Sequence, residues 1–171
     1  MACTQTLSGL ARDCDPNRGG IIAVYIANFD DVTAITLASG LVSGITMDTG
    51  KKFKEYAFPK NTGSLTSTYT IDPASGVRYV TSDLVLQFNR METTKRTEIT
   101  ALALSDLRII CKDANGIFWL LGYDEPVNAS ASDGQTGTAR SDANRYTITL
   151  EDTSAEMPYE IDDSIISGIV A

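Results

Sequence analysis

Pairs of acidic residues are the side chains in this sequence whose types and spacing come closest to chemistry. Converging carboxylates can bind a hard cation such as Ca²⁺ or serve as the acid and base of a glycosidase. The pairs stand at Asp13/Asp15, Asp30-Asp31, Asp124-Glu125 and Asp162-Asp163. None has the D-x-[DN]-x-[DN]-G spacing of an EF-hand loop, and nothing selects two of the 22 acids as a catalytic pair. We therefore expect solvated carboxylates in turns.

The absence of histidine removes most of the remaining catalytic chemistry. Without it, Ser-His-Asp and Cys-His catalysis and most zinc, copper and iron sites are excluded. The cysteines Cys3, Cys14 and Cys111 are odd in number and lack a C-x-x-C, which favours reduced thiols over a disulfide framework. The loop at residues 134–138 has glycines and hydroxyls but lacks the lysine of a phosphate-binding P-loop. We expect no enzyme, no metal and no cofactor.

The only tryptophan lies in the aromatic segment 112–123, where a ligand pocket and a folded scaffold are the alternatives. Asn115-Gly116 predicts a hairpin turn, and Phe118 and Trp119 fall on opposite faces of the strand that follows. We expect one ring to fill the core and the other to meet the helix or a neighbouring subunit. The sequence thus favours a scaffold, with no small-molecule ligand, formed by Asn115, Gly116, Phe118, Trp119 and Gly122.

Composition and charge narrow the class of protein. The chain has 171 residues, 43% of them hydrophobic, and a formal net charge of −8. Nucleic-acid binding needs clustered Lys and Arg, so specific DNA or RNA binding is disfavoured. No apolar run approaches the roughly 20 residues that span a bilayer, and residues 1–8 lack the basic and apolar regions of a secretory signal. We expect no membrane contact and synthesis in a cytoplasm.

Hydrophobic periodicity predicts mainly strands. Alternation at residues 21–26, 32–37, 42–47, 51–58, 106–112, 117–122 and 145–151 is typical of β-strands, and Ser39-Gly40 joins two of them in a hairpin. Residues 157–161 indicate a last edge strand, because Pro158 is tolerated at an edge or a strand start. Ile99, Leu102 and Ala103 share one face of a helix at 94–104, capped by Thr93. Residues 128–144 are predicted as a small, polar loop.

A long polar hairpin is the most unusual predicted element. Residues 61–71 are rich in threonine and β-prone but have almost no apolar face, so they need a surface outside their own core. The turn at residues 72–76 leads to a return strand over 77–88. We expect a protruding hairpin that contacts another subunit. The predicted contact residues are Phe53, Tyr56, Phe58, Leu65, Tyr69 and Tyr79.

These elements predict one domain of mainly β class (all-β/α+β), an antiparallel β-sandwich or barrel with one short helix. The domain covers residues 21–161. Residues 1–20, which end in a cluster of turn formers, form an N-terminal arm, and residues 162–171 form a C-terminal tail.

Glycine, aromatic and hydroxyl patterns run through most of the chain. They comprise Asp113-x-Asn115-Gly116-x-x-Trp119-Leu120-Leu121-Gly122, Thr136-Gly137-Thr138-Ala139, and Ser141-Asp142-Ala143-Asn144-x-Tyr146-Thr147-Ile148-Thr149-Leu150. The front half adds a cysteine-bearing arm and Gly19-Gly20 at the start of the first strand. With these residues the chain resembles tail tube, or major tail, proteins from phages and prophages of Bacteroidota.

The resemblance implies a structural virion protein with a β-sandwich or barrel and one helix. Such proteins form hexameric rings that stack into a hollow tail tube, and a long loop or hairpin reaches the neighbouring ring. The implied partners are copies of the same chain, other phage tail proteins and DNA in transit, and the implied location is the virion tail. The acidic composition suits a DNA conduit, because negative charge repels phosphate. The alternatives are a head-tail connector, a tail terminator, a capsid decoration protein, or a small ligand- or carbohydrate-binding β-barrel.

Overall fold

The computed structural model describes residues 5–171, which form two β-sheets and two short helices. The strands are β1 (Ile21–Asn28), β2 (Val32–Ala38), β3 (Leu41–Met47), β4 (Lys54–Glu55), β5 (Ser64–Asp72), β6 (Val77–Asn89), β7 (Leu107–Asp113), β8 (Phe118–Leu121), β9 (Asn128–Gln135), β10 (Arg145–Ser154) and β11 (Tyr159–Ile161). The helices are α1 (Thr93–Leu104) and α2 (Ile166–Ile169), and short 3-10 turns cover Phe29–Asp31 and Asp163–Ile165. The predicted mainly β class is confirmed as an open sandwich, and neither sheet closes into a barrel.

The sheets differ in size and in connectivity. The seven-stranded sheet has the order β2-β3-β11-β8-β7-β1-β4, and the four-stranded sheet has the order β5-β6-β10-β9. All neighbours are antiparallel except β11 and β3, which run parallel. The hairpin between β2 and β3 turns at Ser39 and Gly40, whose φ angles of 54° and 82° are the left-handed values that a tight two-residue turn needs.

The first core cluster fills the space between the two sheets. Val24 and Ile26 on β1 face Leu84 and Leu86 on β6, while Ile148 on β10 and the α1 residues Ile99 and Leu102 complete the layer. The predicted alternation of β1 is interrupted at Ile22, which is 57% exposed. The register of β1 against β7 shifts between Ile21 and Ala23, so Ile21 takes the buried position instead.

A second core cluster covers the opposite face of the seven-stranded sheet. Alternate residues of the same strands, including Ala27, Ile110 and Leu120, point to this side. Ile166 and Ile169 pack on them, so the predicted C-terminal tail, residues 162–171, lies against this face of the sheet. Apolar spacing in the Ile165-Ile166-x-x-Ile169 segment produces a short amphipathic turn that closes this face.

Three predicted elements were placed or bounded wrongly. Residues 128–144 are not all loop, because β9 pairs with β10 through backbone hydrogen bonds that its small, polar side chains do not reveal. The strand at 51–58 shrinks to β4. β11 is not the predicted edge strand, because it lies inside the seven-stranded sheet between β3 and β8. Pro158 is tolerated there because it comes directly before the first residue of the strand.

The helix prediction holds with two corrections. Ile99 and Leu102 are buried as expected, but Ala103 is exposed. Glu92, rather than Thr93, occupies the N-cap position, and no side chain caps the helix there. The helix therefore owes its position to the two apolar residues that it buries against the first core cluster.

Candidate functional site

The outward face of the four-stranded sheet is polar from one edge to the other. Because Leu84, Leu86, Ile148 and Leu150 point into the core, the alternate residues of the four strands point outward. Val77, Tyr79, Val85 and Ala131 are the apolar interruptions. The rest are mainly hydroxyl, amide and carboxylate side chains: Ser64, Thr66, Thr68, Thr70, Thr81, Asp83, Gln87, Asp133, Thr147, Thr149, Glu151 and Thr153. None of the residues on this face is fully buried.

The charge of this outward face is negative. Asp83 and Glu151 lie directly opposite each other in the register of β6 and β10, so two carboxylates share one position across the strands. The four strands contain no lysine. Arg145 lies at one end and donates to Gln87 Oε1 at 2.9 Å. Like charges at a cross-strand pair repel, and such a pair persists where function or solvation outweighs that cost.

Within residues 5–171, both edge strands of this sheet lack a second paired strand. β5 has one paired neighbour, β6, and β9 has one paired neighbour, β10, while α1 lies beside β9. Seven of the eight β9 residues are exposed, with Ala129 the exception. Neither strand contains the lysine or proline that often blocks pairing at an edge. An unpaired edge of this kind can accept a strand from another chain; α1 borders the β9 edge, and no described helix borders β5.

The predicted protruding hairpin is β5 with the first half of β6, joined by a turn at residues 72–76. Asp72 fixes the turn, since its carboxylate accepts from Ala74 N at 3.0 Å and from the Ser75 hydroxyl at 2.7 Å. Apolar side chains are exposed near the tip on both faces. Ile71 is 63% exposed and Val77 44% exposed, and Tyr69 and Tyr79 are exposed as well.

The structure places only part of the predicted contact set on this hairpin. Leu65, Tyr69 and Tyr79 belong to it, although Leu65 packs partly on the first core cluster. Phe53, Tyr56 and Phe58 do not belong to it. Phe53 is fully buried in the second core cluster, where its backbone N–H and carbonyl pair with Ile169 and Ala171 at 2.9 Å each.

Tyr56 and Phe58 instead fasten the connection between β4 and β5 to the domain. The Tyr56 hydroxyl donates to the Glu98 carboxylate on α1, and burial together with that carboxylate raises the Tyr56 pKa above its ordinary value. The Phe58 ring lies over Gly63, where an added Cβ would approach the ring to 2.6 Å. Sequence reasoning grouped these aromatics with the hairpin because they adjoin it along the chain.

The predicted scaffold at residues 112–123 forms the β7–β8 hairpin. Asn115 and Gly116 lie in its turn, and Gly116 has a φ of 93°. Phe118 and Trp119 point to opposite faces, as predicted: Phe118 is in the second core cluster, while Trp119 is half-buried on the side of the four-stranded sheet. Trp119 lines a cleft of about 270 Å³ with Arg18, Gly20 and Leu65, so it lies beside the base of the arm and not beside the helix.

Gly122 and Arg108 form a buried hydrogen-bonded contact at the end of β8. Arg108 is 6% exposed, and its Nε donates to the Gly122 carbonyl at 2.7 Å. Its guanidinium also lies 4.0 Å from the centre of the Phe29 ring. Burial lowers the pKa of Arg108, and the Asp30 carboxylate opposes that shift.

A buried polar row crosses the inner face of the four-stranded sheet, and the sequence analysis missed it. Ser67 and Ser82 are hydrogen-bonded at 2.7 Å, and Asp152 lies opposite Ser82 in the register. Asp152 is 2% exposed and its Oδ1 has no hydrogen-bond partner among the described residues. Burial raises the Asp152 pKa to about 6, an N–H from Gly122 opposes the shift, and Asp124 and Glu125 add to it. The sequence does contain a signal for this buried acid: Asp152 continues the inward-facing alternation of Ile148 and Leu150.

Chemical sites of the usual kinds are not formed by the described residues. Within residues 5–171 no three His, Cys, Asp or Glu side chains come together as metal ligands. Cys14 is exposed, Cys111 is buried, and neither forms a disulfide within that range; Cys3 lies outside it. No described helix has the length and apolarity required to cross a bilayer.

The geometry defines a mainly β, two-sheet domain whose main surface features are open sheet edges, a polar outward face and an exposed hairpin. Comparisons with protein-family models, with curated proteins and with solved structures found no match for this chain.

Proposed function

We propose that this protein is a structural virion component that assembles with copies of itself into stacked rings, forming a phage tail tube. The single observation that carries the proposal is the four-stranded sheet with an unpaired edge on each side. If β5 of one copy pairs with β9 of the next, each copy offers two different edges, and repetition of that heterologous contact closes a ring. Edge pairing would also satisfy the backbone groups that the isolated chain exposes.

The outward face of the four-stranded sheet supports a conduit for DNA. In a ring built by edge pairing, this face becomes one continuous wall of hydroxyl and carboxylate groups. Asp83, Asp133 and Glu151 give it negative charge, and four strands without lysine offer phosphate few counter-charges. A wall of that kind repels the DNA backbone and lets the molecule pass without sticking. The protein would be made in the host cytoplasm and would reside in the virion tail.

The hairpin supports contacts along the tube axis. Tyr69, Ile71, Val77 and Tyr79 expose apolar surface at the end of a two-stranded ribbon, beyond the region where the core holds it. Aromatic residues of this type are enriched in protein interfaces. In the proposed assembly the tip rests on the next ring, as the sequence resemblance also implies.

Concentrated protein examined by negative-stain microscopy and light scattering tests the proposal. We expect rings and tubes with a central channel. Rings that never stack would favour a connector or terminator, and a monomer at every concentration would exclude self-assembly of the chain alone and overturn the proposal.

A charge-reversal pair tests the conduit. The variant Asp83→Lys/Glu151→Lys reverses charge on the outward face, and Glu160→Lys/Asp163→Lys makes the same change in net charge at exposed sites in and just after β11, on the other sheet. We expect tubes of the first variant to retain DNA in a filter-binding assay at low salt and those of the control to release it. Equal retention by both variants would contradict a lumen-facing outward face.

A further inference from the structure

The N-terminal arm has apolar side chains with no place in its own domain. Residues 5–20 contain no helix or strand, and every one of them is exposed. Leu7 is 93% exposed and Leu10 103% exposed, the largest values among the exposed large hydrophobic residues. Among the described residues, no hydrogen bond joins residues 5–16 to the rest of the chain; Asp15 N donates only to Asp13 within the arm.

The base of the arm is fixed, so the arm leaves the domain at a defined point. Asn115 holds it from the β7–β8 turn: its Oδ1 accepts from Arg18 N, and its Nδ2 donates to Asn17 Oδ1, both at 2.8 Å. The Gly20 carbonyl accepts from Ala114 N at 3.0 Å. Residues 5–16 can extend about 40 Å from that point, at about 3.3 Å per residue. By the same measure Leu10 can lie about 23 Å from Asn17 and Leu7 about 33 Å from it.

The domain has an apolar cleft of suitable size beside α1. It measures about 320 Å³ and lies between α1 and the segment around β4. Tyr56, Ala57, Phe88, Ile99 and Leu102 form its apolar walls, and the charged residues Lys54, Glu55, Lys95 and Glu98 border it. That volume is near the lower end of the roughly 300–1,000 Å³ typical of small-molecule pockets. The chain has no histidine, and no described metal cluster lies there, so the cleft suits apolar side chains better than a reactive ligand.

The arm and the clefts also carry charged residues of opposite sign beside their apolar residues. A second cleft of about 680 Å³ adjoins the first, and the two share Lys54, Tyr56 and Glu98. Lys51 and Lys52 also line it; Lys51 is paired with Asp31 at 3.4 Å, so Lys52 and Lys54 are the lysines without an ion-pair partner among the described residues. In the arm, the two leucines are followed by Asp13 and Asp15. Arg12 leaves the arm a net charge of −1 over residues 5–16, and the lysines of the second cleft outnumber its acidic residues, Asp31 and Glu98, by three to two.

We infer that the arm of one copy docks into the α1 cleft of a second copy, with Leu7 and Leu10 in the apolar part and Asp13 and Asp15 beside the lysines. Every copy carries one arm and one cleft, so the contact is heterologous and can repeat from copy to copy. The inference rests on the self-association proposed above, and it adds a contact that sheet-edge pairing does not supply.

Cross-linking between two differently sized chains tests the inference. One chain carries Leu10→Cys and an affinity tag, the other carries Ala57→Cys, and both have Cys3→Ser and Cys14→Ser. Leu10 and Ala57 are exposed, so both substitutions preserve the core. After co-assembly and mild oxidation we expect a disulfide-linked heterodimer on a non-reducing gel. Replacing Ala57→Cys by Ser167→Cys, an exposed site on α2, provides the matched control without a cross-link.

A second measurement uses the concentration at which assembly occurs. Leu7→Ser/Leu10→Ser should raise the midpoint concentration of assembly at least about tenfold, because two leucines lose their burial. Leu104→Ser changes a leucine that is 85% exposed outside arm and cleft, and it should leave the midpoint within about twofold.

The outcomes separate this inference from the proposed function. Tubes without the disulfide-linked heterodimer, and with the double leucine variant assembling like Leu104→Ser, would overturn arm docking and leave the tube intact. A cross-link confined to a single doubly substituted chain, Leu10→Cys/Ala57→Cys, would show docking within one copy and also overturn it. The absence of any assembly by the wild-type chain would overturn both.

Discussion

Trp119 donates a hydrogen bond from its indole Nε1 to Asp113 Oδ2 at 3.1 Å, across the β7–β8 hairpin. The other oxygen of the same carboxylate accepts from Asn115 N at 2.8 Å and Ile117 N at 3.0 Å. One side chain therefore orders the turn and orients the only tryptophan, which lies beside the base of the arm. The segment that first suggested a pocket wall is a hairpin held by a carboxylate.

Asp113→Ala should loosen this hairpin. Loss of three hydrogen bonds to an ionised acceptor should lower the free energy of unfolding by about 1–3 kcal/mol. The indole should become more mobile and wetter, which is measured as a red shift of Trp119 fluorescence. Asp133→Ala removes an exposed carboxylate from β9 and should leave the spectrum unchanged. An unshifted spectrum in Asp113→Ala would contradict the role of the indole hydrogen bond.

Gly122→Ala should be more destabilising than Gly116→Ala or Gly168→Ala. Gly122 has a φ of 83°, and an added Cβ would lie 3.1 Å from Val127 Cγ2 and 3.2 Å from the Leu107 carbonyl. Gly116 has a similar φ of 93° but open space around it, and Gly168 has neither constraint. We expect a loss of about 1 kcal/mol for Gly116→Ala, about 2–4 kcal/mol for Gly122→Ala, and little for Gly168→Ala, measured by urea unfolding. Equal losses at 116 and 122 would exclude the steric contribution.

Asp152→Asn should stabilise the protein above neutral pH. Because the folded-state pKa is raised to about 6, the folded protein favours the protonated carboxyl. The stability associated with that preference is fully present below the unfolded pKa of about 4 and is lost as pH rises through about 6. An amide cannot ionise, so the variant should exceed the wild type by roughly 1–3 kcal/mol at pH 7.5. The difference should shrink toward pH 4.

Denaturant unfolding at several pH values measures this effect, with Glu151→Gln as the control. Glu151 is the exposed neighbour of Asp152 on β10, so its substitution should not reproduce the pH-dependent gain. A variant Asp152→Asn that is less stable than the wild type at pH 7.5 would show that the buried carboxylate has a compensating partner.

Phe53→Ala should release the C-terminal segment. The ring is fully buried against Ile166 and Ile169, and deletion of a buried phenylalanine typically costs about 3–5 kcal/mol. Amide hydrogen exchange should accelerate over residues 163–171, whereas Lys52→Ala, an exposed neighbour, should leave exchange unchanged. Lost assembly with unchanged monomer stability would instead support the inter-subunit role that the sequence predicted for Phe53.

Much of the fold followed from local patterns. Alternation located β1, β3, β7 and β10, and the Ser39-Gly40 and Asn115-Gly116 turns fixed which strands form hairpins. These features are local, because a period of two and a left-handed turn residue act over a few neighbours. β9 escaped prediction, since Asn128–Gln135 has no apolar face and becomes a strand only by pairing with β10.

The sequence by itself determined the mainly β class, the hairpins, the helix with its buried Ile99 and Leu102, and the absence of histidine chemistry. Tertiary structure alone decided that Phe53 is core, that residues 162–171 cover a sheet face, that β11 is central, and that Asp152 is buried beside Ser82. The physical reason is the distance along the chain over which each determinant acts. Strand and turn preferences are set by adjacent residues, whereas burial and sheet order depend on which distant segments come into contact. The residues next to a polar or aromatic side chain in the sequence do not indicate which distant residue will cover it.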